Sequence, residues 1–321
     1  MGIIFALLTV VCWSTATLSF TKASIIYEPA LVNKSRLALA TLLLFIFSFF
    51  IFIYNGTDII TEFSRLKNSH WFYFGLSGLV GLAVGDYFVF KAFRSIGSTY
   101  TTLISCASPL AAAIGAYFLS GQNINIIGWL GMSITIGGII LVILSKSKTS
   151  TDTKTKLIKA GFIYALISAI CQGLGLAITQ MGREMDAVNM PQPYTIGLIR
   201  MLSATLIIII ADASRGKLNI FPLAPFIQNP KGIIYIIIGT ISGPVLGVSF
   251  SIAVLAYLPV AEAQTIFANL PLVVMLFNTI VGHEKPKPII WFCLLLCIGG
   301  IIVLDWREDI YQFLAAILPK F

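Results

Sequence analysis

Charge is what this sequence has least of. Only 11% of its 321 residues are charged, against 58% that are hydrophobic, and a soluble domain of this length needs far more ionised surface. Histidine is nearly missing too, with only His70 and His283, both in loops. No HExxH, GxSxG, Walker A or DxDxDG pattern occurs, so the usual marks of zinc and serine hydrolases, NTPases and EF-hands are absent. The five cysteines (Cys12, Cys106, Cys171, Cys293, Cys297) lie in apolar runs without CxxC or Cys/His ligand spacing, and they read as small core residues. No catalysis, metal or cofactor is expected. The net charge of +8 comes from basic residues scattered over short loops, with no basic stripe or interleaved aromatics of the kind that binds nucleic acid.

What the chain does have is long apolar runs, each about one bilayer crossing in length. Stretches such as Leu42 to Tyr54 lack the polar alternation of a barrel strand, so the backbone must satisfy itself within helices. The runs predict ten of them, over 2–22, 31–54, 71–92, 98–119, 125–145, 158–180, 194–211, 231–256, 260–280 and 289–305. Residues 2–22 lack a basic leader and a clear cleavage pattern, and read as the first helix rather than a signal peptide.

The chain also repeats itself. An offset of 162 places Gly81 on Gly243, Gly85 on Gly247, Pro109 on Pro271, Trp129 on Trp291 and Gly137-Gly138 on Gly299-Gly300. An offset of 159 pairs Gly2, Ala6, Leu7 and Cys12 with Gly161, Ala165, Leu166 and Cys171, and one of 164 pairs Arg36 with Arg200 and Thr41 with Thr205. Shared Gly, Pro, Trp and Arg at nearly one spacing mark an internal repeat. The expected organisation is a five-helix unit over 1–145, a Lys/Ser/Thr-rich basic linker over 146–159, and a second five-helix unit over 160–305. An odd number of crossings per unit makes the two copies inverted repeats, and such pairs commonly place a solute site between them. Residues 306–321 show apolar Ile310, Phe313, Leu314 and Ile317 at helical spacing, which predicts an interfacial amphipathic tail. Most Lys and Arg lie in the loops after the odd-numbered spans, which by the positive-inside rule puts both termini outside the cytoplasm.

Polar groups inside the spans are the candidate functional residues, because a charge in hydrocarbon persists mainly where it is paired or meets water. Asp86 is the deepest carboxylate. It is read either as the partner of a cation such as Lys91 or Arg36, or as a proton- or substrate-binding group. Arg36 and Arg200 are expected to snorkel to the interface. Trp13, Ser14, Tyr87, Gln172, Glu262 and Asn269 complete the set expected to line a path at the midplane. For Glu262, near a span end, a capping role is the competing reading. Pro109 and Pro271, at matched mid-span positions, predict kinks and gating points, and the dense glycines predict close helix contacts.

Gly85-Asp86-Tyr87-Phe88 with Ala92-Phe93-Arg94-Ser95-Ile96-Gly97, Ser108-Pro109-Leu110 and Gly128-Trp129-Leu130-Gly131 before Gly137-Gly138-Ile139-Ile140 resembles the repeat unit of EamA-type transporters in the drug/metabolite transporter superfamily. Pro271-Leu272, Gly282-His283-Glu284 and Gly299-Gly300-Ile301-Ile302 resemble it again, so the likeness covers nearly the whole chain. It implies a ten-helix transporter of amino acids, related metabolites or drugs, often an exporter, with both termini cytoplasmic, opposite to the charge count. Gln122 stands where the repeat usually carries glutamate after the glycine at the end of its fourth helix. The first helix also lacks the membrane glutamate of the small multidrug members, which argues against their proton-coupled mechanism.

The sequence therefore predicts an all-α, multi-pass protein of the cell membrane, monomeric or homodimeric, that exports or exchanges small metabolites by alternating access, with a proton or sodium as coupling ion. The competing readings are a lipid-carrier flippase, which needs a groove open to the bilayer, and a non-transporting scaffold or sensor, which needs a packed midplane.

Overall fold

The computed structural model describes residues 1–54, 56, 63–64, 66–121, 124–147, 152–185, 191–216, 223–254, 257, 266–267, 269–280 and 286–317. All regular structure among them is helical: α1 (Gly2–Ile26), α2 (Pro29–Tyr54), α3 (Asn68–Ser77), a π segment (Gly78–Gly85), α4 (Asp86–Ile104), a 3₁₀ turn (Ser105–Ala107), α5 (Ser108–Ser120), α6 (Ile126–Ser147) and α7 (Asp152–Glu184). Then follow α8 (Pro193–Ser214), α9 (Leu223–Gln228), α10 (Lys231–Thr240), a second π segment (Ile241–Gly247), α11 (Val248–Val254), α12 (Leu270–Ile280), α13 (Pro288–Asp305) and α14 (Arg307–Ile317).

Among the described residues, eight helical stretches are long and apolar enough to cross a membrane. One of them, Asn68–Leu119, runs for 52 residues, which at 1.5 Å per residue is more than twice a hydrocarbon core of about 30 Å. Gly97 breaks it, with φ 80° and ψ 172°, a backbone open to glycine and costly for a side chain. The expected spans 71–92 and 98–119 flank that break. Helix α12 is apolar but short, and most of 255–268 lies outside the described residues. Helix α7 begins at Asp152, within the stretch 146–159 that the sequence marks as the linker.

Large apolar side chains cover the outside. Phe50, Ile53, Phe118, Leu130, Leu295 and Ile210 are all more than half exposed, as hydrocarbon-facing residues are and those of a soluble surface are not.

Inside, glycine decides which helices meet closely. Helices α6 and α13 pack with their contacts running in opposite directions: Gly131 meets Gly300 and Leu304, while Gly138 meets Cys293 and Cys297. Between these points Thr135 Oγ1 donates to the Cys297 carbonyl at 3.5 Å, and Cys297 Sγ donates back to the Thr135 carbonyl at 3.8 Å. These two residues are 162 apart, the repeat offset, so each half makes the same contact on the other. Thr41 and Thr205, equivalent by the 164 offset, also touch each other, hydroxyl to hydroxyl at 3.0 Å.

Asn125 fastens the C-terminal helix. Its side-chain oxygen accepts from Gly128 N–H at 2.9 Å at the start of α6, and its amide donates to the Arg307 carbonyl at 3.1 Å. Phe313, Leu314 and Ile317 on α14 remain exposed, on the apolar face expected of a helix lying at an interface.

Candidate functional site between the halves

The two π segments occupy equivalent places, Gly78–Gly85 and Ile241–Gly247, which helical periodicity does not distinguish from ordinary α-helix. A π turn shifts hydrogen bonding from i→i+4 to i→i+5, which re-aims the side chains that follow it. Each is glycine-rich and each lies against the leading helix of the opposite half. A methyl added at Gly85 would come within 3.4 Å of Gln172 and 3.2 Å of Cys171, and one at Gly81 within 3.8 Å of the Gly175 backbone. In the other half Gly243 lies against Ala16, and Gly247 lies under the Trp13 indole. Gln172 and Trp13 are thus equivalent residues in equivalent places.

Asp86, the first residue after the first π segment, is 9% exposed. Its Oδ2 is 2.7 Å from Arg36 Nη2, and its Oδ1 accepts from Gln172 Nε2 at 3.0 Å. Arg36, itself 4% exposed, also donates to Asn33 Oδ1 at 3.1 Å and to the Leu82 carbonyl at 3.3 Å, and its guanidinium lies 5.6 Å from the Phe90 ring. Asn33 holds this arrangement by donating to the Ala83 carbonyl at 2.9 Å. Both carbonyls belong to the π segment, so the irregular backbone and the buried arginine satisfy one another.

Arg200 comes to the same carboxylate from α8. It lies within electrostatic reach of Asp86, its Nη2 is 3.7 Å from where a Gly81 methyl would stand, and its buried Nε has no hydrogen-bond partner among the described residues. The expectation that Arg36 and Arg200 snorkel is therefore corrected. Glycines 78 and 81 let α8 approach so closely that a methyl at Gly78 would overlap the Arg200 carbonyl, and Asp86 gives the inward guanidinium groups a counter-charge. An unpaired arginine at a helix centre costs about 2.5–3.5 kcal/mol even on the lenient insertion scales, so the carboxylate decides the direction.

The other candidates spread out. Gln172 is exposed; at 100° per residue the exposed, apolar Ile163, Leu166 and Ile170 lie on the opposite side of α7, and the exposed Leu176 lies one turn along on the same side. Trp13 packs edge-on against Phe267 at 5.2 Å, on the side where Val248 takes the place equivalent to Asp86. Val248 lies near Gly197, one turn along α8 from Arg200. The Ser14 hydroxyl is spent on its own helix, donating to the Val10 carbonyl at 2.7 Å. Tyr87 turns away to Lys91, whose ammonium lies 4.6 Å from its ring, 5.1 Å from Tyr164 and 5.9 Å from Phe88; Lys91 is thus held by aromatic faces rather than by Asp86. Asn269 donates to the Ile266 carbonyl at 3.2 Å in the turn before α12. Glu262 lies outside the described residues, as do Gln122 and Gly282-His283-Glu284.

Pro109 and Pro271 each stand in the first turn of a helical segment. Pro109 opens α5 after the 3₁₀ turn, and Pro271 opens α12 after the turn at Asn269. A proline there loses no intrahelical bond. At Pro109 the backbone keeps helical dihedrals at Ser105, Ala107 and Ser108 while its hydrogen-bond spacing changes.

Two polar groups escaped sequence reading. Asn33 stands three residues before Arg36 and therefore on its face, a signal that was available. Asn278 donates to Ser98 Oγ at 2.9 Å and Thr99 Oγ1 at 3.0 Å, joining α12 to the segment after the Gly97 break; nothing in its local sequence marks it.

Comparison with known proteins agrees with this architecture. No curated protein matches the chain. A solved structure titled only as a crystal structure of a protein aligns with a TM-score of 0.62 at 14% identity, over 97% of this chain and 98% of that one, a likeness of fold. The family model for the EamA-like transporter family matches residues 1–144 and again 159–305, the two halves that the internal repeat delimits. This multi-pass integral membrane protein belongs to the EamA-like transporter family, within the drug/metabolite transporter superfamily.

Proposed function

We propose that the protein is a secondary transporter that exports or exchanges small metabolites such as amino acids, by alternating access around a site between two inverted five-helix repeats. The observation that carries the proposal is the double anchorage of Asp86: Arg36 of its own half binds one oxygen, and Gln172 of the other half binds the second. A carboxylate shared across the seam changes its surroundings whenever the halves rock, and this links its protonation or its ligands to which face is open. The reciprocal Thr135–Cys297 contact and the Thr41–Thr205 pair support an axis relating the halves in the membrane plane. Ten crossings follow if Gly97 separates two spans and the segment ending in α12 forms another.

In this reading Asp86, Gln172 and Trp13 lie on the solute path, and Asp86 is the coupling carboxylate. The test is exchange in reconstituted vesicles loaded with amino acids and related metabolites. Exchange above empty-vesicle controls is expected, with a pH dependence that Asp86→Asn removes. No exchange across the panel contradicts the transport reading; an Asp86→Asn variant that keeps the wild-type pH profile removes Asp86 as the coupling group.

A further inference from the structure

Arg36 and Arg200 are equivalent residues turned on one acid, but their situations differ. Arg36 has Asp86, Asn33 and the Leu82 carbonyl as hydrogen-bond partners. The Nε of each arginine is buried without a hydrogen-bond partner among the described residues, but Arg200 has no such set of partners for its terminal nitrogens and faces Gly81, where no side chain stands. The described cluster of two guanidinium groups and one carboxylate thus holds one positive charge more than it cancels. A guanidinium with unspent donors is a planar fork that fits a carboxylate or phosphate with two parallel bonds. The adjoining Gln172, which bonds Asp86, is exposed, so the cluster borders accessible surface. One turn along α8 from Arg200 the wall becomes apolar, with Val248 against Gly197.

We propose that Arg200 binds the anionic group of the transported solute, which makes the substrate class small organic solutes bearing a carboxylate or phosphate and an apolar remainder. This rests on the transport reading above and narrows it. Because Asp86 already neutralises one arginine through a direct ion pair, the anion completes the charge balance of the second.

Ligand-induced thermal shift on the purified protein tests this, using leucine, a short-chain fatty acid, glycerol phosphate, an alkylamine and an uncharged sugar. Stabilisation by one or more of the carboxylate and phosphate probes, and by neither amine nor sugar, is expected, and the pattern among the three separates carboxylate from phosphate recognition. Arg200→Gln should weaken that binding about tenfold to a hundredfold, the loss of a charge-assisted hydrogen bond, and Arg200→Lys should fall between because it keeps the charge without the fork. Stabilisation by amine or sugar equal to that by anions, or anion binding unchanged in Arg200→Gln, overturns the proposal. If Arg200→Gln fails to fold, Gly81→Ala decides. Its methyl meets Nη2 at an ordinary 3.7 Å, so the protein should fold with its charge intact and bind anions more weakly; unchanged anion binding overturns the proposal. Vesicle exchange separates the two readings. Exchange restricted to cationic or neutral solutes removes the anion site and leaves transport standing, whereas anion stabilisation without exchange of any solute does the reverse.

Discussion

Arg36 Nη2 lies 2.7 Å from Asp86 Oδ2, and Arg200 lies within electrostatic reach of the same carboxylate from the other half. The three charges do not contribute equally. Asp86 neutralises a cluster that otherwise holds two cations, Arg36 buried and Arg200 half-buried, while Arg36 is one of two cations competing for it.

Removing the acid should therefore cost more than removing either base. Asp86→Ala leaves two guanidinium groups without a counter-charge, and breaking a buried pair from one side costs about 3–5 kcal/mol. Arg36→Ala leaves Asp86 facing Arg200 and should cost clearly less. Thermal unfolding of the detergent-purified variants checks the order. If Arg36→Ala is as damaging as Asp86→Ala, Arg200 does not share the carboxylate.

The paired glycines of α6 and α13 should respond oppositely to substitution. A methyl at Gly138 would stand 2.7 Å from Cys297 Sγ and 3.1 Å from the Cys293 carbonyl, and one at Gly300 would stand 2.6 Å from the Gly131 carbonyl. Among the described residues, nothing lies within 4 Å of a methyl at Gly137 or Gly299. Gly138→Ala and Gly300→Ala should destabilise by about 1–3 kcal/mol through overpacking. Gly137→Ala and Gly299→Ala should be neutral or slightly stabilising, since alanine is the better helix former. Thermal stability of the four single variants is the measurement.

Thr41 and Thr205 meet at 3.0 Å between hydroxyl oxygens, close enough for two sulfurs to bond. In a background without the native cysteines, Thr41→Cys with Thr205→Cys should form an oxidised cross-link. After a protease site placed in the 146–159 linker is cut, the halves should stay joined on a non-reducing gel and separate on reduction. Separation of the halves without reductant would contradict this contact.

Much of the fold was legible because hydrophobic length is a strong signal. The apolar spans follow from runs that only helices can satisfy in hydrocarbon, and the two family-model matches, 1–144 and 159–305, fall on the repeats that the 162 offset marks. The direction of a side chain around its helix was not legible. Arg36 and Arg200, near span ends, read as snorkelling residues, and only their neighbours, Asp86 for both and Asn33 for Arg36, turn them inward. The sequence offers Lys91 or Arg36 as the cation for Asp86; Arg36 pairs with it, and three aromatic rings hold Lys91 instead. The π segments left only indirect traces. Gly78, Gly81 and Gly85 and their mates Gly243 and Gly247 read as packing glycines, which they are, but composition cannot tell an i→i+5 turn from an i→i+4 one. Within the site, Gln172 was named for being polar on the leading helix of its half; its bond to Asp86 required the Gly85 approach.

The central claim is that a solute path runs between the halves past Gln172 and Asp86. Its most direct test needs no knowledge of the substrate. In a cysteine-free background, Gln172→Cys is exposed to a membrane-impermeant thiol reagent added from each face of sealed vesicles in turn. Alternating access predicts labelling from both faces, and slower labelling when a transported solute is present. Labelling from neither face would contradict a path through this seam.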